Sequence, residues 1–231
     1  MDINEQAQLA WDIIETTNTN LFLTGKAGTG KTTFLRRLKE ESSKRIVVVA
    51  PTGIAAINAE GVTIHSFFQL SFAPFIPDAQ YKLKEQQYRF SKQKIRVIQS
   101  IDTLVIDEIS MVRADLLDAV DSVLRRFRKN QLPFGGVQMV MIGDLGQLAP
   151  VAKDDEWQML SRYYDTPYFF SSIALKSTRY AIVELKTVYR QSDSHFVELL
   201  NHVRDNRADD KVLAALNSRY IPNFQPRVEE G

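Results

Sequence analysis

The 231-residue sequence contains no cysteine. That excludes disulfides and thiolate metal sites, and it fits a reducing compartment. Long apolar runs are also missing, and the longest strand-like stretch, Ile46 to Ala50, is far too short to span a membrane. The opening residues, Met1-Asp2-Ile3-Asn4-Glu5-Gln6, are acidic and polar, unlike a signal peptide. An excess of one charge is absent too. The net charge is +1, so there is no global basic signal for nucleic acid, and any such site must be a local groove. No repeat, low-complexity tract or obvious linker occurs. What remains is an ordinary globular composition, long enough for one large domain, or one domain with an insertion, around a substantial core.

Short Val/Ile/Leu/Met-rich runs at 21–24, 45–50, 103–107, 138–142 and 180–185 read as parallel strands buried on both faces. Helical spacing lies between and around them at 4–17, 31–41, 53–59, 93–100, 114–129 and 193–206, with Leu9, Ile13 and Ile14 as candidate buried positions of the first helix. The alternation predicts an α/β domain with a doubly wound, mostly parallel sheet. Residues 71–92 break it. This stretch mixes prolines, aromatics and lysines without a period and reads as an insertion projecting from the core, or as an irregular packed loop. The Pro-rich end, 221–231, reads as an exit segment.

Gly25-Lys26-Ala27-Gly28-Thr29-Gly30-Lys31-Thr32-Thr33 is a complete G-x-x-x-x-G-K-[ST] phosphate loop. The apolar run Leu21-Phe22-Leu23 leads in and a helical stretch leads out, which is the context the motif requires. Its glycines allow backbone N–H groups to converge on phosphate oxygens, and the helix N-terminus adds partial positive charge. Lys31 suits the β/γ-phosphates and the Thr32 hydroxyl suits Mg²⁺. A chance glycine-rich turn is the alternative, made remote by the flanking elements. The chain is therefore expected to take a nucleoside triphosphate.

Leu104-Val105-Ile106-Asp107-Glu108 is an apolar strand ending in two acids. Behind a phosphate loop, the first suits Mg²⁺ and the second suits the attacking water, although an acidic turn is common in any α/β protein. Met141-Ile142-Gly143-Asp144-Leu145-Gly146-Gln147 ends another strand at the edge where open α/β sheets bind ligands, so Gln147 is a candidate γ-phosphate sensor. Taken alone, Gln6 reads as a solvated helix residue and Arg190 as a surface arginine. A carboxamide can nevertheless pair with adenine, and a strand-end arginine can stabilise phosphoryl charge.

In order along the chain come Asn4-Glu5-Gln6, the loop 25–33, Ala50-Pro51-Thr52-Gly53-Ile54-Ala55-Ala56 and Val62-Thr63-Ile64-His65-Ser66-Phe67-Phe68. Asp107-Glu108-Ile109-Ser110-Met111, Pro133-Phe134-Gly135-Gly136-Val137-Gln138, Gly143 to Val151 and Tyr189-Arg190-Gln191 follow. Together they resemble the petite-integration-frequency (Pif-type) family of superfamily 1B helicases. The likeness covers nearly the whole chain, and the Thr-Gly-Ile-Ala-Ala, His-Ser-Phe and Pro-Phe-Gly-Gly segments discriminate best. It implies a RecA-like ATPase domain over 1–70 and 93–220, with a small wedge subdomain inserted at 71–92. It also implies ATP and Mg²⁺ as cofactors, single-stranded and forked or partial duplex DNA as partners, and 5′-to-3′ movement.

In the residue roles the resemblance implies, Gln6 meets adenine. Gly25, Ala27, Gly28, Thr29, Gly30, Lys31, Thr32 and Thr33 hold the phosphates, and Thr32 and Asp107 hold the metal. Glu108 polarises water, while Gln147 and Arg190 read the γ-phosphate. Thr52, Gly53, Thr63, His65, Ser66 and Phe67 contact the strand, with Phe72, Pro74 and Phe75 at the wedge tip. Phe67 and Phe68 also read as core, and His65 as a structural histidine. Gly146 and Ala149 depart from the bulky residue and proline common in the family. The resemblance further implies a second motor domain beyond residue 231, without which 1–231 is expected to unwind little. A monomer in the bacterial cytosol is expected, or in the nucleus or mitochondrion of a eukaryote.

Two other classes stay open at this point. One is a phosphate-loop ATPase acting as a switch or on protein substrates; the other is a non-catalytic single-strand-binding module. A GTP switch lacks its Asn/Thr-Lys-x-Asp motif.

Overall fold

The computed structural model describes residues 5–77, 90–187 and 194–224. Six strands form one all-parallel sheet in the order β3-β2-β4-β5-β1-β6. They are β1 (Asn20–Gly25), β2 (Ile46–Ala50), β3 (Val62–Thr63), β4 (Thr103–Ile106), β5 (Gln138–Ile142) and β6 (Tyr180–Leu185). The helices of this unit are α1 (Glu5–Thr16), α2 (Lys31–Glu41), α3 (Gly53–Asn58), α4 (Ile64–Phe68), α5 (Lys92–Ser100), α6 (Ala114–Arg128), α7 (Asp154–Leu160) and α8 (Ile173–Lys176). This is the doubly wound α/β fold of a RecA-like domain.

Side-chain alternation explains the two layers. Leu104, Ile106, Met139 and Met141 face one core, with Phe67, Phe68 and the apolar face of α6. Val105, Val140, Ile142, Leu21 and Leu23 face the other, with α1 and α2. β6 lies at the edge, where Ile182 and Glu184 are exposed, so the expectation of strands buried on both faces holds only for the central ones. In α1 the buried positions are Ala10 and Ile14. Leu9 is exposed, contrary to expectation, because the stripe that meets the sheet is the i, i+4 pair one residue further on.

The chain divides into two compact units, 1–189 and 190–231. Residues 190–220, read from the sequence as part of the ATPase domain, fall in the second unit. In the second unit α9 (Ser194–Arg204) packs with α10 (Asp210–Asn217), whose N-cap Asp209 accepts from Val212 N at 2.9 Å. Within 71–77, Ser71, Phe72 and Ala73 are exposed, while Phe75, expected at the wedge tip, packs on the main core and Ile76 on Ala114, Leu160 and Tyr164, as the packed-loop alternative expects. The rest of the expected wedge, 78–89, lies outside the described residues, as do Arg190, its neighbours Tyr189 and Gln191, and most of the exit segment.

Candidate nucleotide site and strand cleft

Parallel register brings the chemistry to one sheet edge. Leu23 pairs with Ile142, and Ile106 pairs with both Met141 and Val49. The phosphate loop, the Asp107-Glu108 pair and the Gly143–Gln147 turn thus leave neighbouring strands together. Gly25 closes β1 with φ +153°, and a Cβ there would sit 2.6 Å from Leu185 O, so only glycine fits. Lys31 Nζ rests on the carbonyls of Gly25 (2.6 Å) and Lys26 (3.2 Å). Ala27, Thr32 and Thr33 are exposed at the loop rim and the start of α2. Gly28 and Gly30 have left-handed backbones, φ 80° and 92°. Thr29 turns inward. Its side chain is buried, Oγ1 donates to Lys26 O at 2.9 Å, and its own N–H turns to the same carbonyl, so both groups shape the loop.

Burial pushes the Asp107 carboxyl up to about 6; the Glu108 charge adds to this, while the Glu108 N–H bond and the nearby Lys31 ammonium oppose it. A hydroxyl at Thr32 and a carboxylate whose charge is costly without a cation make a fitting donor set for a hard divalent ion. Stability carries the same signature. The folded-state value lies above that of the unfolded chain, so ionised Asp107 weakens the fold once pH rises through about 6. Asp107→Asn is expected to raise the melting stability of the metal-free protein at pH 8 by about 1–3 kcal/mol, with the gain shrinking as pH falls below 5. Thermal melts at the two pH values check this, and a variant less stable at pH 8 contradicts it.

Glu108 is half-buried and left-handed, φ 51°, at the start of a 3₁₀ turn. Asp144 is fully buried at the end of β5. It accepts from Gly146 N at 2.9 Å, and the Gln147 carboxamide lies 3.5 Å from its other oxygen. Gln147 itself is exposed at this edge, and Gln6 is half-buried in the first turn of α1. Trp11 of α1 lies under the Arg37 guanidinium of α2, 4.4 Å from the ring centre, which sets the two helices side by side.

Further along the same edge, Thr52 and Thr63 cap α3 and α4, accepting from Ala55 N (3.2 Å) and Ser66 N (3.3 Å). Each hydroxyl still has its own proton to donate. Gly53 and Ser66 are exposed beside them. A cleft of about 260 Å³ joins Thr52 and His65 to Phe72, Arg113, Asp115 and Val151. The His65 ring stacks on Phe72 at 4.6 Å. Burial lowers the His65 pKa, with the Arg113 charge in the same direction against Asp115, so the imidazole is neutral at pH 7. Phe67 is not a base platform. It is buried in the core, edge-on to Phe68, with Lys94 Nζ 3.3 Å from the ring centre on one face. A stacking surface needs a free face, and Phe72, 84% exposed, has one. Pro74 is half-buried beside it.

Three acids on α6 escaped the sequence reading. Asp115 takes a bidentate bond from Arg113 and the Phe75 N–H at 2.9 Å. Asp121 accepts from Arg125 and from Phe134 N. Asp118 accepts from Tyr164, Ser172, Ile173 N and Ala174 N at 2.5 to 3.1 Å. Acids recurring at every third position, on the side of an amphipathic helix that carries Leu117 and Val120, were the available signal. Arg113 also pairs with Glu156 of α7; burial opposes its charge, but the two carboxylates outweigh that and raise its pKa. The Pro-Phe-Gly-Gly segment proves structural: Phe134 is fully buried with φ 55°, and a Cβ on Gly135 would meet Leu124 O at 2.8 Å.

Residues 3–213 match the family model described as PIF1-like helicase. The ATP-dependent DNA helicase PIF1 of Saccharomyces cerevisiae is 38% identical over 198 residues, which cover 83% of this chain and 22% of the yeast protein. Two Bacteroides Pif1 crystal structures, one bound to ssDNA and one in complex with ADP-AlF3 and ssDNA, are each 43% identical, with TM-scores of 0.86 and 0.87. Each match covers 97% of this chain and 52% of the Bacteroides chain. The chain thus spans about a fifth of the yeast protein and about half of the Bacteroides one. With the match running from residue 3 to residue 213, the chain belongs to the PIF1-like helicase family.

Proposed function

We propose that this chain is the first motor domain of an ATP-dependent 5′-to-3′ DNA helicase. One observation carries the reading: a single sheet edge presents both a phosphate loop with its acids and, beyond β4, a cleft suited to a DNA strand. A switch acting on proteins needs the first and leaves the second without a purpose. The complexes formed by the Bacteroides relatives support the same pairing of nucleotide and strand.

In this reading Gly25, Ala27, Gly28, Gly30 and Thr33 line the phosphate cradle, and Lys31 exchanges its loop carbonyls for phosphate oxygens. Thr32 and Asp107 hold Mg²⁺, which when bound offsets charge on the phosphoryl group. Glu108 orients the attacking water, Gln147 and Arg190 meet the γ-phosphate, and Gln6 meets adenine. Thr52, Gly53, Thr63, His65 and Ser66 hold strand phosphates without reading sequence. Phe72 offers its free face to a base, and Pro74 stiffens the segment leading to the fork. A second motor domain closes the nucleotide site from the opposite side.

Phe72→Ala tests the strand assignment. The residue is almost wholly exposed, so its loss leaves the melting temperature unchanged. Losing one stacked base is expected to weaken oligo-dT binding roughly tenfold, within the ~1–3 kcal/mol such contacts contribute. Fluorescence anisotropy measures it, and unchanged affinity places the strand elsewhere.

A further inference from the structure

Charge is unevenly placed on this nearly neutral protein. Residues 90–101 and 122–143 carry seven basic side chains and no acidic one. Three of the seven are used within the fold: Lys94 over Phe67, Arg125 with Asp121, and Arg128 on the carbonyls of Ile98, Gln99 and Ile101. The Arg128 contacts fasten the end of α5 to the end of α6. Lys92, Arg96 and Lys129 are exposed and pair with no carboxylate among the described residues. Lys92, Arg96 and Gln99 recur at i, i+4 and i+7, which is one stripe of α5. Gln99 Nε2 donates to Phe127 O at 3.0 Å, so the stripe runs onto the end of α6, where Lys129 is the C-cap. The acids bordering this ridge are neutralised, Asp102 by Arg45 at 2.6 Å and Asp121 by Arg125 at 2.8 Å.

We infer that this ridge, made of the outer stripe of α5 and the end of α6, binds the phosphate backbone of duplex DNA separately from the single-strand cleft. The inference rests on reading the chain as a DNA motor. Cations fixed on packed helices suit phosphates fixed by a double helix, and phosphate neutralisation supplies most sequence-independent affinity. Unpaired strands gain from aromatic stacking, and the ridge offers none. Its two aromatics, Phe90 and Phe127, are half-buried and packed edge-on against each other at 4.8 Å.

The test is the triple variant Lys92→Glu, Arg96→Glu, Lys129→Glu of this chain. Anisotropy of a labelled blunt-ended duplex and of labelled oligo-dT is followed across a salt series. Duplex affinity is expected to fall at least about tenfold, and the slope of log K against log salt to shrink by about 2–3, near 0.9 per contact removed. Oligo-dT affinity should change less than about twofold. The Gln triple at the same positions should show a smaller loss in the same direction, and thermal melts confirm that both variants fold. Unchanged duplex affinity overturns the ridge, as do equal losses for both DNAs or an unaltered chain that binds oligo-dT but no duplex. If the unaltered chain binds neither DNA, the motor reading fails with it.

Discussion

Lys31→Ala is expected to lower ATP turnover at least a hundredfold, and nearer a thousandfold, in a chain carrying both motor domains. Removing one preorganised charge from a developing transition state costs about that much, and in phosphoryl transfer the protein's contribution is almost entirely positioning and charge. Lys26 belongs to the same loop, where its backbone carbonyl accepts from Lys31 and Thr29. Lys31→Arg should not restore activity, because a planar guanidinium cannot sit where a compact ammonium now spans two carbonyls 2.6 and 3.2 Å away. The fold should tolerate the change, since the Lys31 bonds to Gly25 and Lys26 stay within its own loop. Turnover within tenfold of the parent would sink the assignment.

Asp118→Ala should be the most damaging substitution for the fold of the first unit. The carboxylate gathers two side-chain hydroxyls and two backbone N–H groups, tying α6 to Tyr164, just beyond α7, and to the start of α8 with its N-cap Ser172. Removing it leaves four buried donors without an acceptor, each worth about 1–3 kcal/mol when orphaned, partly recovered by relaxation. A loss of about 3–5 kcal/mol is expected, which for a domain of this size lowers the melting temperature by about 10 °C. Burial raises the Asp118 pKa, with its four hydrogen bonds opposing, so Asp118→Asn should be milder. It keeps one acceptor oxygen and loses the charge that burial penalises. Equal losses for Ala and Asn would mean that neither the shape nor one retained oxygen suffices, and that the two-oxygen carboxylate itself holds this joint.

The nucleotide side of the site was legible because its chemistry is written contiguously. A phosphate loop needs its glycines, lysine and threonine in fixed order, and Asp107-Glu108 must follow an apolar strand. The long strands and helices were legible for the same reason: period and burial coincide over many residues. β3 and α4 were missed because two and five residues cannot display a period. That shortness also hid which face of α4 points inward: Phe67, which the resemblance put on the strand and the residues alone also read as core, is buried, and Phe72 is an aromatic with an exposed face. Thr29 matched the motif in sequence yet turned its hydroxyl inward, a choice made by loop backbone angles that composition does not encode. Asp115, Asp118 and Asp121 were illegible for a deeper reason. A buried acid is intelligible only through its donors; Arg113 and Arg125 lie close by in sequence, but the others come from segments 40 to 56 residues away for Asp115 and Asp118, and 13 away for Asp121.

The central claim is that one sheet edge couples nucleotide turnover to a DNA strand. Titrating oligo-dT into the protein extended through its second motor domain, while following ATP turnover, tests it directly. Turnover should rise and saturate with oligo-dT, vanish in Lys31→Ala, and need roughly tenfold more oligo-dT in Phe72→Ala. A rate that stays flat as oligo-dT is added would contradict the account.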